Sequence, residues 1–191
     1  MRLVRVFVEG NSSLKLPIRQ FIEKAVPESH GCIRIQLGKN KDETIKDFLR
    51  TLRENPGANV VLLVDSDAPY DGRLLENLRQ GATWQNHAPK RVSPTRIHWM
   101  VQVMESWFLA DGAALKAYYG KGFQASALPT RRNVEEILKK DVFHALNRVG
   151  KAGYDKAAHA PKILELLSPE TVQGRAPNCK RFLTALRALI A

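Results

Sequence analysis

Four acidic residues stand where short apolar runs end: Glu9 after Leu3–Val8, Asp65 and Asp67 after Asn59–Val64, and Glu105 after Ile97–Val103. Carboxylates gathered in one place repel one another and raise their own pKa values unless a cation sits between them. The natural cation is Mg²⁺ or Mn²⁺, because hard ions prefer oxygen ligands. Such an ion polarises a phosphodiester, activates a water and steadies the leaving oxygen. Asp65 and Asp67 are two residues apart and share a face if the backbone is extended. After Glu9, Gly10-Asn11-Ser12-Ser13 reads as a turn into a helix start, where free backbone N–H groups favour phosphate. The competing reading is that loops are wet and strand ends are often acidic for that reason alone.

A second polar cluster is Lys151, Tyr154, Lys156 and His159, spaced K-x-x-Y-x-K-x-x-H. As a phosphate clamp, Lys156 would neutralise charge and His159 would donate a hydrogen bond or transfer a proton. Its plain alternative is a solvated loop with a histidine at a helix start. His98 sits in a predicted strand beside Trp99 and reads as structural, while His30, His87 and His144 have no metal-ligand spacing. Trp107 and Phe108 read as packing residues. Arg131-Arg132 is an exposed pair that could touch a phosphate backbone, although such pairs are usually only solvated. Gly38-Lys39-Asn40-Lys41 lacks the spacing of a P-loop, and no G-x-S-x-G occurs.

The elements that must position these residues follow from hydrophobic period. Leu14, Ile18, Phe21, Ile22, Ala25 and Val26 recur at helical spacing, with Ser12 or Ser13 as cap and Pro17 in the first turn. Cys32–Leu37 predicts a second strand, and Ile45, Phe48, Leu49 and Leu52 a helix stopped by Asn55-Pro56-Gly57. Asn59–Val64 is an unbroken apolar run, the pattern of a strand covered on both faces of a parallel sheet. Asp71–Gln80 predicts a short helix, His87–Thr95 a loop, and Met104–Asp111 a helix. Thereafter only helices are predicted: Ala113–Tyr119, Val134–Val149, Pro161–Leu167 and Pro177–Ile190. Strands alternating with helices, then helices alone, imply an α/β fold: a mainly parallel sheet core over 1–111 and a basic helical extension over 112–191 packed on it. Acids after three strands would then meet at the carboxyl edge of the sheet, where such folds bind ligands.

The chain has 191 residues, 44% of them hydrophobic, enough for a well-packed core. Its net charge of +11 is uneven. Residues 1–111 hold 16 Lys and Arg against 13 Asp and Glu, while 112–191 hold 14 against 6. That excess favours a polyanionic partner, DNA or RNA. Cys32 and Cys179 fall in no CxxC pair, which disfavours a disulfide framework or zinc site and suits a reducing cytoplasm. The apolar run at the N-terminus is too short for a signal peptide, and no stretch approaches the length of a membrane span, so no membrane partner is expected. Homo-oligomerisation stays open.

The order Glu9-Gly10 after a first strand, then Asp65-x-Asp67 after a later buried strand, resembles the Toprim domain of topoisomerases, primases and related nucleases. That resemblance implies a Toprim-like sheet, Mg²⁺ held by Asp65 and Asp67, and Glu9 as general acid or base. Added to it from the strand-end pattern are Glu9 as a second-sphere metal partner and Glu105 as a further ligand. A resemblance over nearly the whole chain is carried by VEGNSS, VVLLVDSDAP, MVQVMESWFLAD, YYGKGFQASALP, RNVEEI, KAGYDKAAHAPKILELLSPETV and AP-x-CKRFL. By these the chain resembles the bacterial domain-of-unknown-function family four-two-seven-six. Members of that family look like partners of ATPases in two-gene phage-defence cassettes, similar in layout to the overcoming-lysogenization-defect nucleases. The resemblance implies a Mg²⁺-dependent nuclease subunit beside an ATPase. A non-catalytic nucleic-acid-binding or sensor subunit and a tRNA-cleaving toxin are the alternatives. Many Toprim nucleases place Thr-Glu soon after the first glycine; here Asn11-Ser12-Ser13 supplies no second acid.

Overall fold

A computed structural model describes residues 2–191. Four parallel strands form one sheet in the order β2-β1-β3-β4: β1 Val4–Glu9, β2 Ile33–Gly38, β3 Val60–Asp65 and β4 Ile97–Met100. The connection from β1 to β2 runs through α1, Lys15–Ala25, and that from β2 to β3 through α2, Lys41–Glu54. The first steps to one side of β1 and the second steps back past it. Right-handed crossovers therefore put α1 and α2 on opposite faces of the sheet.

Side-chain alternation completes that division. Val4, Val6 and Val8 of β1, with Val61 and Leu63 of β3, share a core with Ile18, Phe21 and Ile22 of α1. Phe7, Leu62 and Val64 pack on the other face against Ile45, Phe48 and Leu49 of α2. Every residue from Val60 to Val64 is buried, as expected of an apolar run covered on both sides. A Cβ on Gly38 would lie 2.3 Å from Thr44 Oγ1 and 2.7 Å from the Thr44 nitrogen, so only glycine lets the end of β2 abut the start of α2.

Two short helices, α3 Leu74–Gln80 and α4 Ala82–His87, precede β4. After it come α5 Ser106–Ala110, α6 Gly112–Tyr119, α7 Lys139–Val149, α8 Lys156–Leu166, α9 Pro169–Arg175 and α10 Pro177–Ile190. The late helices bury Val142, Leu146, Ile163, Leu164, Phe182 and Leu183 in the same continuous core as α1 and its face of the sheet. Trp107 stacks on Phe21 at 5.4 Å between ring centroids, joining α5 to α1.

Several expected boundaries move. The strand expected over Ile97–Val103 ends at Met100, because Gln102 takes a left-handed φ of 61°. The helix expected over Val134–Val149 is a 3₁₀ turn, Val134–Glu136, followed by α7. The Gln102 side chain explains the break: its amide donates to the Ile137 carbonyl at 2.5 Å and its oxygen accepts from the Lys139 N–H at 2.8 Å. The first helical turn is capped by Asn11, whose Oδ1 accepts from the Ser13 N–H at 3.1 Å, and not by either serine. Lys156 and His159, expected ahead of a helix, lie on α8 itself, which runs through Pro161.

Candidate active site

Because all four strands are parallel, their carboxyl ends lie on one edge of the sheet. The connections from β1 lead one way to β2, while β3 lies on its other side. A crevice therefore opens between the ends of β1 and β3, the place where open α/β sheets bind ligands. Glu9 is the last residue of β1 and Asp65 the last of β3. Beyond β4 the chain turns through Gln102 and brings Glu105 to the start of α5. Asp65 Oδ1 accepts from the Met104 N–H at 2.9 Å, which locks that turn against β3.

The loop after β3 is pinned to the same turn. The Asp67 N–H donates to the Gln102 carbonyl at 3.1 Å, and the Gln102 N–H donates to Ser66 Oγ at 2.6 Å. Asp67 has a left-handed φ of 57° and so faces another non-glycine residue in the same rare conformation. Asp65-Ser66-Asp67 is thus not extended, and its two carboxylates part company. Asp67 turns outward to two lysines, with Oδ1 2.7 Å from Lys139 Nζ and Oδ2 3.0 Å from Lys41 Nζ. Asp65 stays inside with Glu105.

Glu105 is fully buried. Its Oε1 accepts from Tyr154 Oη at 3.2 Å and from Lys156 Nζ at 3.1 Å, while Oε2 has no partner among the described residues. Burial and the Glu105 charge push the Asp65 carboxyl up to about 7, with the Lys156 ammonium and the Met104 N–H offsetting part of the rise. Glu9 is raised too, by burial and then by Asp67. Partial burial acts to raise Asp67, but Lys139 and Lys41 hold it below the usual carboxylate range. Burial acts to lower Lys156, yet Glu105 and Asp65 keep its ammonium above the ordinary value. Tyr154 is driven up by burial and by the Glu105 charge, so its hydroxyl stays a donor.

The predicted residues Glu9, Asp65, Glu105 and Lys156 therefore meet at one edge, and Asp67 borders them. His159 lies one helical turn beyond Lys156 with its ring among Tyr118, Tyr119 and Tyr154, at centroid distances of 5.6, 6.2 and 5.8 Å. Its Nδ1 accepts from the Asp155 N–H at 3.1 Å, which leaves the proton of the neutral ring on Nε2. His98 is buried, contacts the Thr95 carbonyl through Nε2 at 3.0 Å, and burial lowers it to about 4. Sequence reasoning missed Lys41, Lys139 and Gln102. The one available signal for Lys41 was its place in Gly38-Lys39-Asn40-Lys41, set aside once the P-loop spacing failed.

Whether a divalent cation suits this cluster rests on donor chemistry. Oxygen donors, a crowded Asp65 and an orphaned buried oxygen on Glu105 fit a hard cation. As the side chains stand, no three acidic, histidine or cysteine groups among the described residues converge closely enough to hold one. Side-chain rotation would be needed, and Lys156 supplies the compensating charge instead.

Among the described residues, no helix is long and apolar enough to cross a membrane. Neither the curated proteins nor the solved structures include a match to this chain. A family model does match, over residues 8–187, and its description is a domain of unknown function. Glu9, Asp65, Asp67, Glu105, Lys156 and His159 all lie inside that span, and the chain belongs to the DUF4276 family.

Proposed function

We propose that the chain is a Mg²⁺- or Mn²⁺-dependent nuclease subunit with Toprim-like chemistry, cleaving nucleic-acid phosphodiesters. One observation carries this reading: Glu9 and Asp65 at two strand ends and Glu105 at the start of α5 meet at the switch-point crevice and are ringed by lysines. Asp65 and Glu105 would hold the ion, with Glu9 in its second sphere and Asp67 joining if it releases its lysines. When bound, the ion would polarise the phosphodiester and activate water. Glu9, half-buried and with its carboxyl raised by burial, suits a proton-transferring group. Lys156 stays charged and can meet a phosphate oxygen, and His159 can donate from Nε2. An ATPase partner and a role in phage defence are proposed on the family resemblance alone. A cytoplasmic site of action fits two buried, free cysteines.

The test uses plasmid DNA, single-stranded DNA and bulk tRNA with Mg²⁺, Mn²⁺ or EDTA. Wild type should cut in metal only, and Glu9→Gln and Asp65→Ala should not cut while still melting cooperatively. Normal cutting by both variants would overturn the assignment. A second reading, a non-catalytic binding or sensor subunit, is favoured by the lysine pairing of Asp67 and Glu105, which meets much of the acidic charge without a metal. It requires nucleic-acid binding that ignores Mg²⁺ and no cleavage, alone or with a partner ATPase.

A further inference from the structure

Lys41 and Lys139 are 98 positions apart in sequence, yet both close on one carboxylate. Each keeps a solvent-facing side, with side-chain exposures of 28% and 46%. Each is also the first residue of its helix, α2 or α7. A cation there opposes the helix dipole, so helix stability does not explain either lysine. Asp67 in turn adopts a left-handed backbone to present both oxygens, one to each ammonium. Lysines bind phosphate as point charges through the same charge-assisted hydrogen bonds, so two ammonium groups that close on one carboxylate could close on a phosphate.

We infer that Lys41 and Lys139 form a clamp for a backbone phosphate of the nucleic acid, and that the Asp67 carboxylate occupies the phosphate's place until substrate arrives. This rests on the nucleic-acid reading above and adds two binding residues to it. Asp67 is then a placeholder that tunes affinity. Lys41 and Lys139 act electrostatically on Glu9, as Lys156 does, so the clamp belongs to the same edge. Substrate binding displaces one anion by another and needs no metal.

The experiment measures binding of labelled DNA and RNA oligonucleotides by fluorescence anisotropy in EDTA, from about 50 to about 200 mM salt. The Lys41→Ala/Lys139→Ala variant should bind more weakly and lose about 1.4 to 1.8 from the slope of log affinity against log salt, the loss expected for two phosphate contacts. Asp67→Asn should tighten binding in the wild-type background and change nothing when both lysines are absent. A general charge effect of Asp67 would persist in both backgrounds. The control Lys46→Ala/Lys162→Ala removes equal charge at exposed positions that have no ion pair among the described residues. Thermal melting confirms that each variant is folded. The clamp is overturned if wild type binds neither nucleic acid, if the lysine variant matches the control, or if Asp67→Asn acts equally in both backgrounds. Cleavage is scored separately with Mg²⁺. Cutting with an unchanged salt slope removes the clamp and keeps the nuclease, while a lost slope without cutting does the reverse.

Discussion

Replacing Asp65 with Asn should stabilise the metal-free protein, and the gain should vanish with acid. Asp65 ends a buried strand beside the fully buried Glu105, and together burial and that charge lift its carboxyl from 3.8 to about 7. A carboxyl raised in this way favours the fold while protonated. Its contribution is complete below about pH 4 and is lost as pH rises through about 7. At about 1.4 kcal/mol for each tenfold change in the protonation equilibrium, ionised Asp65 costs about 4 kcal/mol. Asp65 keeps some solvent exposure, so about 2 kcal/mol is the working figure after screening. Asn avoids that cost and can still accept the Met104 N–H. For a chain of this size the melting temperature of Asp65→Asn should exceed that of wild type by about 4–8 °C at pH 8 in EDTA. By pH 5 the gain should fall to less than about half, because folded wild type is then mostly protonated there. Mg²⁺ should raise wild type and leave the variant unmoved, since a cation between the carboxylates removes the same repulsion. A variant that melts below wild type at pH 8, or that gains equally at pH 5 and pH 8, would refute this account.

Two further perturbations read other parts of the molecule. Lys156→Met should cost about 1–3 kcal/mol in EDTA, because it leaves the buried Glu105 with Tyr154 as its one hydrogen-bond donor. Urea titration checks this, and a midpoint at or above wild type would show that Lys156 does not stabilise the acid. Glu135→Ala should cost about 2–3 kcal/mol while leaving nucleic-acid affinity unchanged. The buried Glu135 carboxylate accepts from the Asn178 N–H at 2.9 Å, the Asn178 side-chain amide at 2.7 Å and the Cys179 N–H at 3.3 Å, capping α10. Loss of affinity in a variant that melts normally would show that Glu135 belongs to the binding surface instead.

The sheet was legible because its physics is local. An unbroken apolar run such as Val60–Val64 has few uses other than a strand covered on both faces. Glu9 and Asp65 could be placed because a parallel sheet brings every strand's carboxyl end to one edge. Alternation failed where side chains distant in sequence decide the backbone. Gln102 shortens β4 and splits the segment over 134–149 through hydrogen bonds to Ser66, Ile137 and Lys139, partners up to 37 residues away. No window of sequence contains that information. Nor could spacing alone show that Asp65 and Asp67 diverge, since the shared-face expectation assumed extended backbone and Asp67 is left-handed. The helices α4 and α9 were missed because their short segments, ATWQNH and PETVQGR, hold too few apolar residues to mark a period.

Several departures from local preference gather at one edge. Helices α1, α2, α7 and α8 each begin on a lysine, where the dipole disfavours a cation by about 0.3–1 kcal/mol apiece. Asp67 and Gln102 adopt the left-handed conformation that non-glycine residues avoid. Glu105 is wholly buried with one oxygen unpaired. Asp65 sits where its charge is penalised. All of these lie at the carboxyl edge of the sheet. A chain selected for stability alone would have no reason to gather so many unfavourable choices at one edge, whereas a site that binds an anion beside a cation needs charge of both signs there. On the proposed reading the lysine–carboxylate pairs would act as storage, holding opposite charges ready until a phosphate and a cation take their places.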